Sequence, residues 1–127
     1  MSAAALTVLG VGDWPTVSLT GEVDLSNVDE LAAGLCAAVD NACHGLILDL
    51  SGVTYLDSTG LRLLYRLMRQ LEERQQQLRV VIGPGTPVHG VLVMGGLAPG
   101  RPLFPSVRQA QVHLPRPPEP GRPDRGE

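Results

Sequence analysis

Lysine is absent from the 127 residues, and all ten basic residues are arginine. Schiff-base chemistry and the lysine of a phosphate-binding P-loop are therefore excluded for this polypeptide. Aromatic residues make up only 3%, which leaves few platforms for stacking single-stranded nucleic acid. A net charge of −3 argues further against binding a phosphate backbone. No apolar run approaches the roughly 18 residues that a membrane span requires. The apolar start also lacks the basic flank of a signal peptide. Cys36 and Cys43 are too few for a disulfide framework, and read as buried small hydrophobes rather than as a metal set with His44. These absences lead to the expectation of a soluble cytoplasmic protein that needs no metal or cofactor and contacts neither nucleic acid nor membrane.

What is present is a chain 43% hydrophobic, enough for the core of one domain and too short for two. Its charge is divided along the sequence. Residues 1–61 carry eight acids and no base, whereas residues 62–114 carry seven arginines against Glu72 and Glu73. That segregation points to a protein partner or to pairing between the two halves. From residue 115 the sequence PRPPEPGRPDRGE offers nothing apolar to bury except proline, and is expected to be a disordered tail on a domain spanning 1–114.

Hydrophobic spacing orders the elements. Residues 2–9 read as an edge strand, and residues 14–19 alternate as a second strand. Residues 21–26 read as a turn. Ser26 or Asn27 then caps a helix whose core face is Val28, Leu31, Leu35 and Val39. Residues 46–50 form a buried strand, and residues 51–57 connect it to the longest helix, about 58–76, with core face Leu61, Leu64, Leu67, Met68 and Leu71. Residues 78–82 give another interior strand. Gly83-Pro84-Gly85-Thr86-Pro87 is a turn rather than a phosphate loop, since two prolines remove amide donors. A short, glycine-rich helix from Val88, an edge strand at 101–104 and a last short helix after Ser106 complete the pattern. The implied fold is a single α/β domain: a mixed central sheet of four to five strands with helices packed against it.

The sharpest local feature is Tyr55-Leu56-Asp57-Ser58-Thr59-Gly60-Leu61, where a strand runs out into the start of a long helix. Asp57 or Ser58 can serve as N-cap, and capping alone would explain both residues. A hydroxyl at a helix N-terminus is also a favourable place for a phosphoryl group, because free amides and the helix dipole stabilise an anion there. The surroundings do not suit an enzyme: no G-x-S-x-G elbow surrounds Ser58, and no second D-[ST]-G loop exists to make an aspartic dyad. Arg62, Arg66 and Arg69 share one helix face, to be read either as solvated and paired with Glu73 or as a docking surface beside Ser58. Trp14, Tyr55 and Tyr65 read as packing residues.

Four segments in order carry a family resemblance: Gly21-Glu22-Val23-Asp24, Leu48-Asp49-Leu50-Ser51-Gly52-Val53, Asp57-Ser58-Thr59-Gly60-Leu61, and Val91 to Leu97 with Gly95-Gly96 before the leucine. Together, over residues 5–113, the chain resembles the STAS family of anti-sigma factor antagonists. The resemblance implies a non-enzymatic binding module of the STAS fold, monomeric or weakly dimeric. In its unphosphorylated form it would bind an anti-sigma factor that is also a serine kinase, freeing the sigma factor. The kinase, with its own ATP, would phosphorylate Ser58 and so reverse binding, and a serine phosphatase would reset the switch. Asp24 would lie in the neighbouring loop and serve kinase recognition; Ser26, Asp57, Thr59, Gly60 and Arg62 would frame the partner-binding surface. The runner-up is a STAS-like scaffold or nucleotide-sensing module in which Ser58 is only a cap.

Overall fold

A computed structural model describes residues 4–99 and 102–112. The expected tail at 115–127 and the domain boundary before it lie outside the described residues. The elements run β1 (Ala4–Gly10), β2 (Thr16–Val23), α1 (Val28–Ala38), β3 (Gly45–Leu56), α2 (Ser58–Glu73), β4 (Gln77–Val81), α3 (Pro87–Met94), β5 (Ala98–Pro99), β6 (Pro102–Phe104) and α4 (Val107–Val112). The strands form one sheet in the order β1-β2-β3-β4-β6-β5. β1 pairs antiparallel with β2, and every other pairing is parallel. This is the mixed, helix-packed α/β sheet expected from the sequence, its count raised to six by the two-residue β5. Among the described residues no helix is long and apolar enough to cross a membrane.

Two strands run further than the sequence pattern implies. β2 continues through the expected turn to Val23, and β3 continues through the expected connection to Leu56. Their register shifts between Ser18 and Thr20 and again between Gly21 and Glu22, with β3 carrying the extra residue each time. Each β-bulge resets the two-residue alternation and hides the strand from a periodicity reading. At the first bulge Asp49 Oδ1 accepts from the Ser51 amide at 2.9 Å.

The main core lies on the face covered by α1 and α2. Val17, Leu19 and Val23 of β2 and Leu46, Leu48, Leu50, Val53 and Leu56 of β3 meet Val28, Leu31 and Leu35 of α1 and Leu63, Leu64, Leu67 and Leu71 of α2. Each buried leucine contributes roughly 1.5–3 kcal/mol relative to exposure. Leu63 belongs to this face although the sequence reading passed over it; Leu61 and Met68 pack at its margin, only partly buried. Cys36 corrects another expectation. It is exposed, one position past the buried Leu35, with its thiol 3.5 Å from Gln70 Oε1. Cys43 is half-buried, and burial pushes its thiol above the ordinary value.

On the other face Ile47, Val81 and Ala110 form a smaller cluster with Trp14, Phe104 and Val107. Arg79 enters it between two rings, its guanidinium 5.3 Å from the Trp14 centroid and 5.1 Å from that of Phe104. It also donates to the Ala110 carbonyl at 2.7 Å, which ties α4 to β4.

Candidate functional site

β2 and β3 are parallel neighbours, so the loops that follow them emerge at the same end of the sheet. Val23 pairs with Leu56, and the next residues in each chain are Asp24 and Asp57. The topology thereby brings together the two segments that the sequence singled out.

Asp57 caps α2. Its Oδ1 accepts from the Thr59 amide at 2.9 Å and the Gly60 amide at 3.3 Å, and its carbonyl accepts from the Leu61 amide at 2.9 Å. Ser58 is the first helical residue, exposed, and its hydroxyl makes no hydrogen bond among the described residues. The choice between Asp57 and Ser58 as cap therefore falls to Asp57. The same bonds change the electrostatic expectation. The amides of Thr59 and Gly60 are already bonded to a carboxylate, so these donors are not free to receive an anion on Ser58.

Thr59 is half-buried beside Ser58, and Gly60 is buried beneath it. A β-carbon at Gly60 would stand 2.7 Å from Leu56 Cγ and 3.2 Å from Val23 Cγ1, so glycine lets the first turn of α2 sit directly on the ends of both strands. Arg62 is exposed one turn along α2, as are Arg66 and Arg69, with no carboxylate within 4.0 Å of any of them among the described residues. The expected Arg69–Glu73 pair is not formed; His44 Nε2 lies 3.9 Å from Asp13 Oδ2.

The neighbouring loop is closed by its own side chains. Asp24 Oδ1 accepts from the Ser26 amide at 2.9 Å and the Ser26 hydroxyl at 2.6 Å. Asn27 occupies the N-cap position of α1 but does not cap it. Its Oδ1 accepts from the Asp24 amide at 3.1 Å, while its Nδ2 donates to the Glu22 carbonyl at 2.8 Å. Asn27 thus clamps the strand end to the helix start, a role that helix-cap statistics could not reveal.

Leu25 and Met94 at this end escaped the sequence reading, and Tyr55, read there as a packing residue, projects instead to solvent, its hydroxyl donating to Asp57 Oδ2 at 3.4 Å. The Asp57 carboxylate, reinforced by Asp24 and Glu22, holds this phenol above its ordinary pKa. Glu22 pairs with Tyr55 across the two strands, and Asp24 and Asp57 follow the strand ends, so the three acids lie at the same end of the sheet as Ser58. Leu25 is 78% exposed in the β2–α1 loop, and Met94 is 90% exposed at the end of α3. The segment after Met94 packs on α2: Tyr65 donates to the Gly95 carbonyl, and a β-carbon at Gly95 would lie 2.5 Å from Leu61 Cδ2. Gly96 has φ of +99°, a conformation that glycine adopts without strain. The glycines here serve close approach between α3 and α2. The Gly83–Pro87 turn ends in a helix cap, with Thr86 accepting from the His89 amide at 3.1 Å.

The family model described as "Mlab, STAS domain" matches residues 7–104. The chain belongs to the STAS family. It is 37% identical over 60 residues to BtrV of Bordetella bronchiseptica, a protein named as an anti-sigma factor antagonist. That match takes in 47% of this chain and spans about half, 52%, of the relative's length. Among solved structures, an anti-sigma factor antagonist from Mycobacterium paratuberculosis is similar at 25% identity and a TM-score of 0.72, over 85% of this chain and 91% of that one. The STAS fold is also that of the anti-sigma factor antagonist SpoIIAA in its unphosphorylated form, at 24% identity and a TM-score of 0.64, covering 80% and 86% of the two chains. The phosphorylated form of SpoIIAA, from Bacillus, gives a TM-score of 0.60 at 23% identity, covering 80% and 89%.

Proposed function

We propose that this STAS domain is an anti-sigma factor antagonist switched by phosphorylation of Ser58. The unmodified protein binds an anti-sigma factor that is a serine kinase, and the sigma factor is released. The observation that carries this reading is the unengaged hydroxyl of Ser58, exposed at the start of α2 because Asp57 does the capping. That observation runs against the alternative, a scaffold or nucleotide-sensing domain in which Ser58 serves only as a cap. The names of BtrV and of the mycobacterial protein lend the partner class its support.

In the proposed step the kinase-bound ATP donates its γ-phosphoryl group. A bond forms between Ser58 Oγ and phosphorus, the bond from phosphorus to the ADP oxygen breaks, and the hydroxyl proton passes to a base on the kinase. The product adds a charge of roughly −1.5 to −2 at the sheet end that carries Asp57, Asp24 and Glu22, with the Thr59 and Gly60 amides already taken. Leu25, Tyr55 and Met94 give the surface its apolar contacts, and Ser26, Thr59 and Arg62 its polar ones. A partner packed on this surface would have to desolvate the new dianion, a penalty that needs to reach only ~1.4 kcal/mol to weaken binding tenfold.

The test mixes the protein with a candidate anti-sigma kinase with and without ATP. Complex loss that requires ATP, with phosphate mapped to Ser58, is the expected result. Ser58→Ala should bind yet resist release, and Ser58→Asp should bind at least tenfold more weakly. Phosphate incorporation into Ser58→Ala at the wild-type level would overturn the assignment. A serine phosphatase acting on the modified protein should restore binding.

A further inference from the structure

The two borders of the sheet are built differently. The β5 border is two residues long and one of them is proline, which has no amide hydrogen to offer an incoming strand. The β1 border is seven residues long, Ala4 to Gly10, and contains no charge and no proline. The first charged residue of the chain is Asp13. Along this border Val8 is 49% and Leu9 58% exposed, and Val11 just beyond it is 87% exposed. Ala5 and Thr7 are exposed too. Natural edge strands are usually blunted by charges, proline or shortness, because their unpaired amides and carbonyls accept another strand. Here the guard is a single register shift between Val8 and Gly10, which leaves Ala4 to Val8 regular.

We propose that β1 pairs antiparallel with β1 of a second copy, extending the sheet across a two-fold axis. The occupant follows from charge. A two-fold contact sets a surface patch against itself, so any charge on the patch would face its own like. A stretch with no charge can meet its own copy without like-charge repulsion, while Val8, Leu9 and Val11 lose water on contact. A single short strand pair falls below the standard interface of roughly 1,600 Å², so the association is weak and depends on concentration. It involves the sheet border rather than the Ser58 loop, and stands independently of the switch proposed above.

Sedimentation of the full chain from about 10 µM to about 1 mM tests it. Wild type should move from monomer toward dimer across that range. Exposed positions Ala5 and Thr7 allow charge to be placed on the strand without entering the core: Ala5→Lys with Thr7→Lys, and separately Ala5→Glu with Thr7→Glu, should each shift the dissociation constant at least tenfold upward. An equimolar mixture of the two variants should regain the dimer, since unlike charges then face each other. Hydrogen exchange on wild type gives a reading free of any folding defect in the variants, because amides of residues 4–8 should slow as concentration rises. A wild-type chain that remains monomeric throughout would overturn the proposal and leave the edge to a different partner's strand. A dimer that persists unchanged in both charged variants, or a mixture that stays monomeric, would also overturn it.

Discussion

The loops after β2 and β3 each begin with an aspartate that follows a parallel strand, and the two aspartates do opposite things. Asp24 bends inward on its own loop and engages both the amide and the hydroxyl of Ser26. Asp57 reaches forward over Ser58 to the amides of Thr59 and Gly60. One serine hydroxyl is thereby consumed in building the loop, and the other is left over. The α1 start consequently has no side-chain cap, because Asn27 has turned back to hold the strand, whereas the α2 start is capped. The difference teaches that serine at a helix start is not a cap by virtue of position. Its neighbours decide whether the hydroxyl is available for chemistry.

The largest expected effect bears on what lies beneath the second loop. Gly60→Val should destabilise the fold by about 1–3 kcal/mol, read by chemical denaturation, because its side chain would collide with Leu56 and Val23. A neutral result would mean that α2 is not seated on the strand ends. Asp57→Ala should cost about 1 kcal/mol through loss of the cap, while Ser58→Ala should stay within about 0.5 kcal/mol of wild type. Equal losses for the two variants would abolish the contrast between them. Asn27→Ala should match Asp57→Ala in size at the first loop, about 1 kcal/mol for two lost hydrogen bonds. If it is silent, the first loop is held by Asp24 alone.

The smallest effect is electrostatic. Tyr55 has its folded-state pKa raised, chiefly by the Asp57 carboxylate. Above the unfolded-state value the unfolded chain releases the phenolic proton more readily, so this contribution to stability is intact below about pH 10 and is lost as pH rises through the folded value. Asp57→Asn retains a capping side chain but removes the charge. It should return the tyrosinate absorbance titration of Tyr55 downward toward its ordinary midpoint. An unmoved midpoint would mean that Asp57 does not govern the local field.

Much of this was legible in the residues. Leucine and valine at helical spacing placed α1 and α2, and the D-S-T-G segment marked a candidate site at the start of the longer helix. The lengths of β2 and β3 were not legible, because bulges at Ser18/Thr20 and Gly21/Glu22 break the alternation that marks a strand, while Gly21 and Gly52 resemble turn residues. The clamp by Asn27 was hidden for a different reason. Asn at that position satisfies the composition of a helix cap, and only the backbone direction shows that its side chain points the other way. Leu25 and Met94 gave no periodic signal, since an exposed apolar residue is distinguished from a core residue by geometry alone.

The length of β3 has one more consequence. Pairing with β4 stops at Asp49, yet β3 continues to Leu56, seven residues further and roughly 20 Å at the usual rise per residue. Ser58 therefore stands beyond the last β4 ladder pair, on a tip flanked by β2 and braced by the Gly95 segment against Leu61 of α2. Selectivity at such a tip has to come from the residues on it, not from the walls of a cleft.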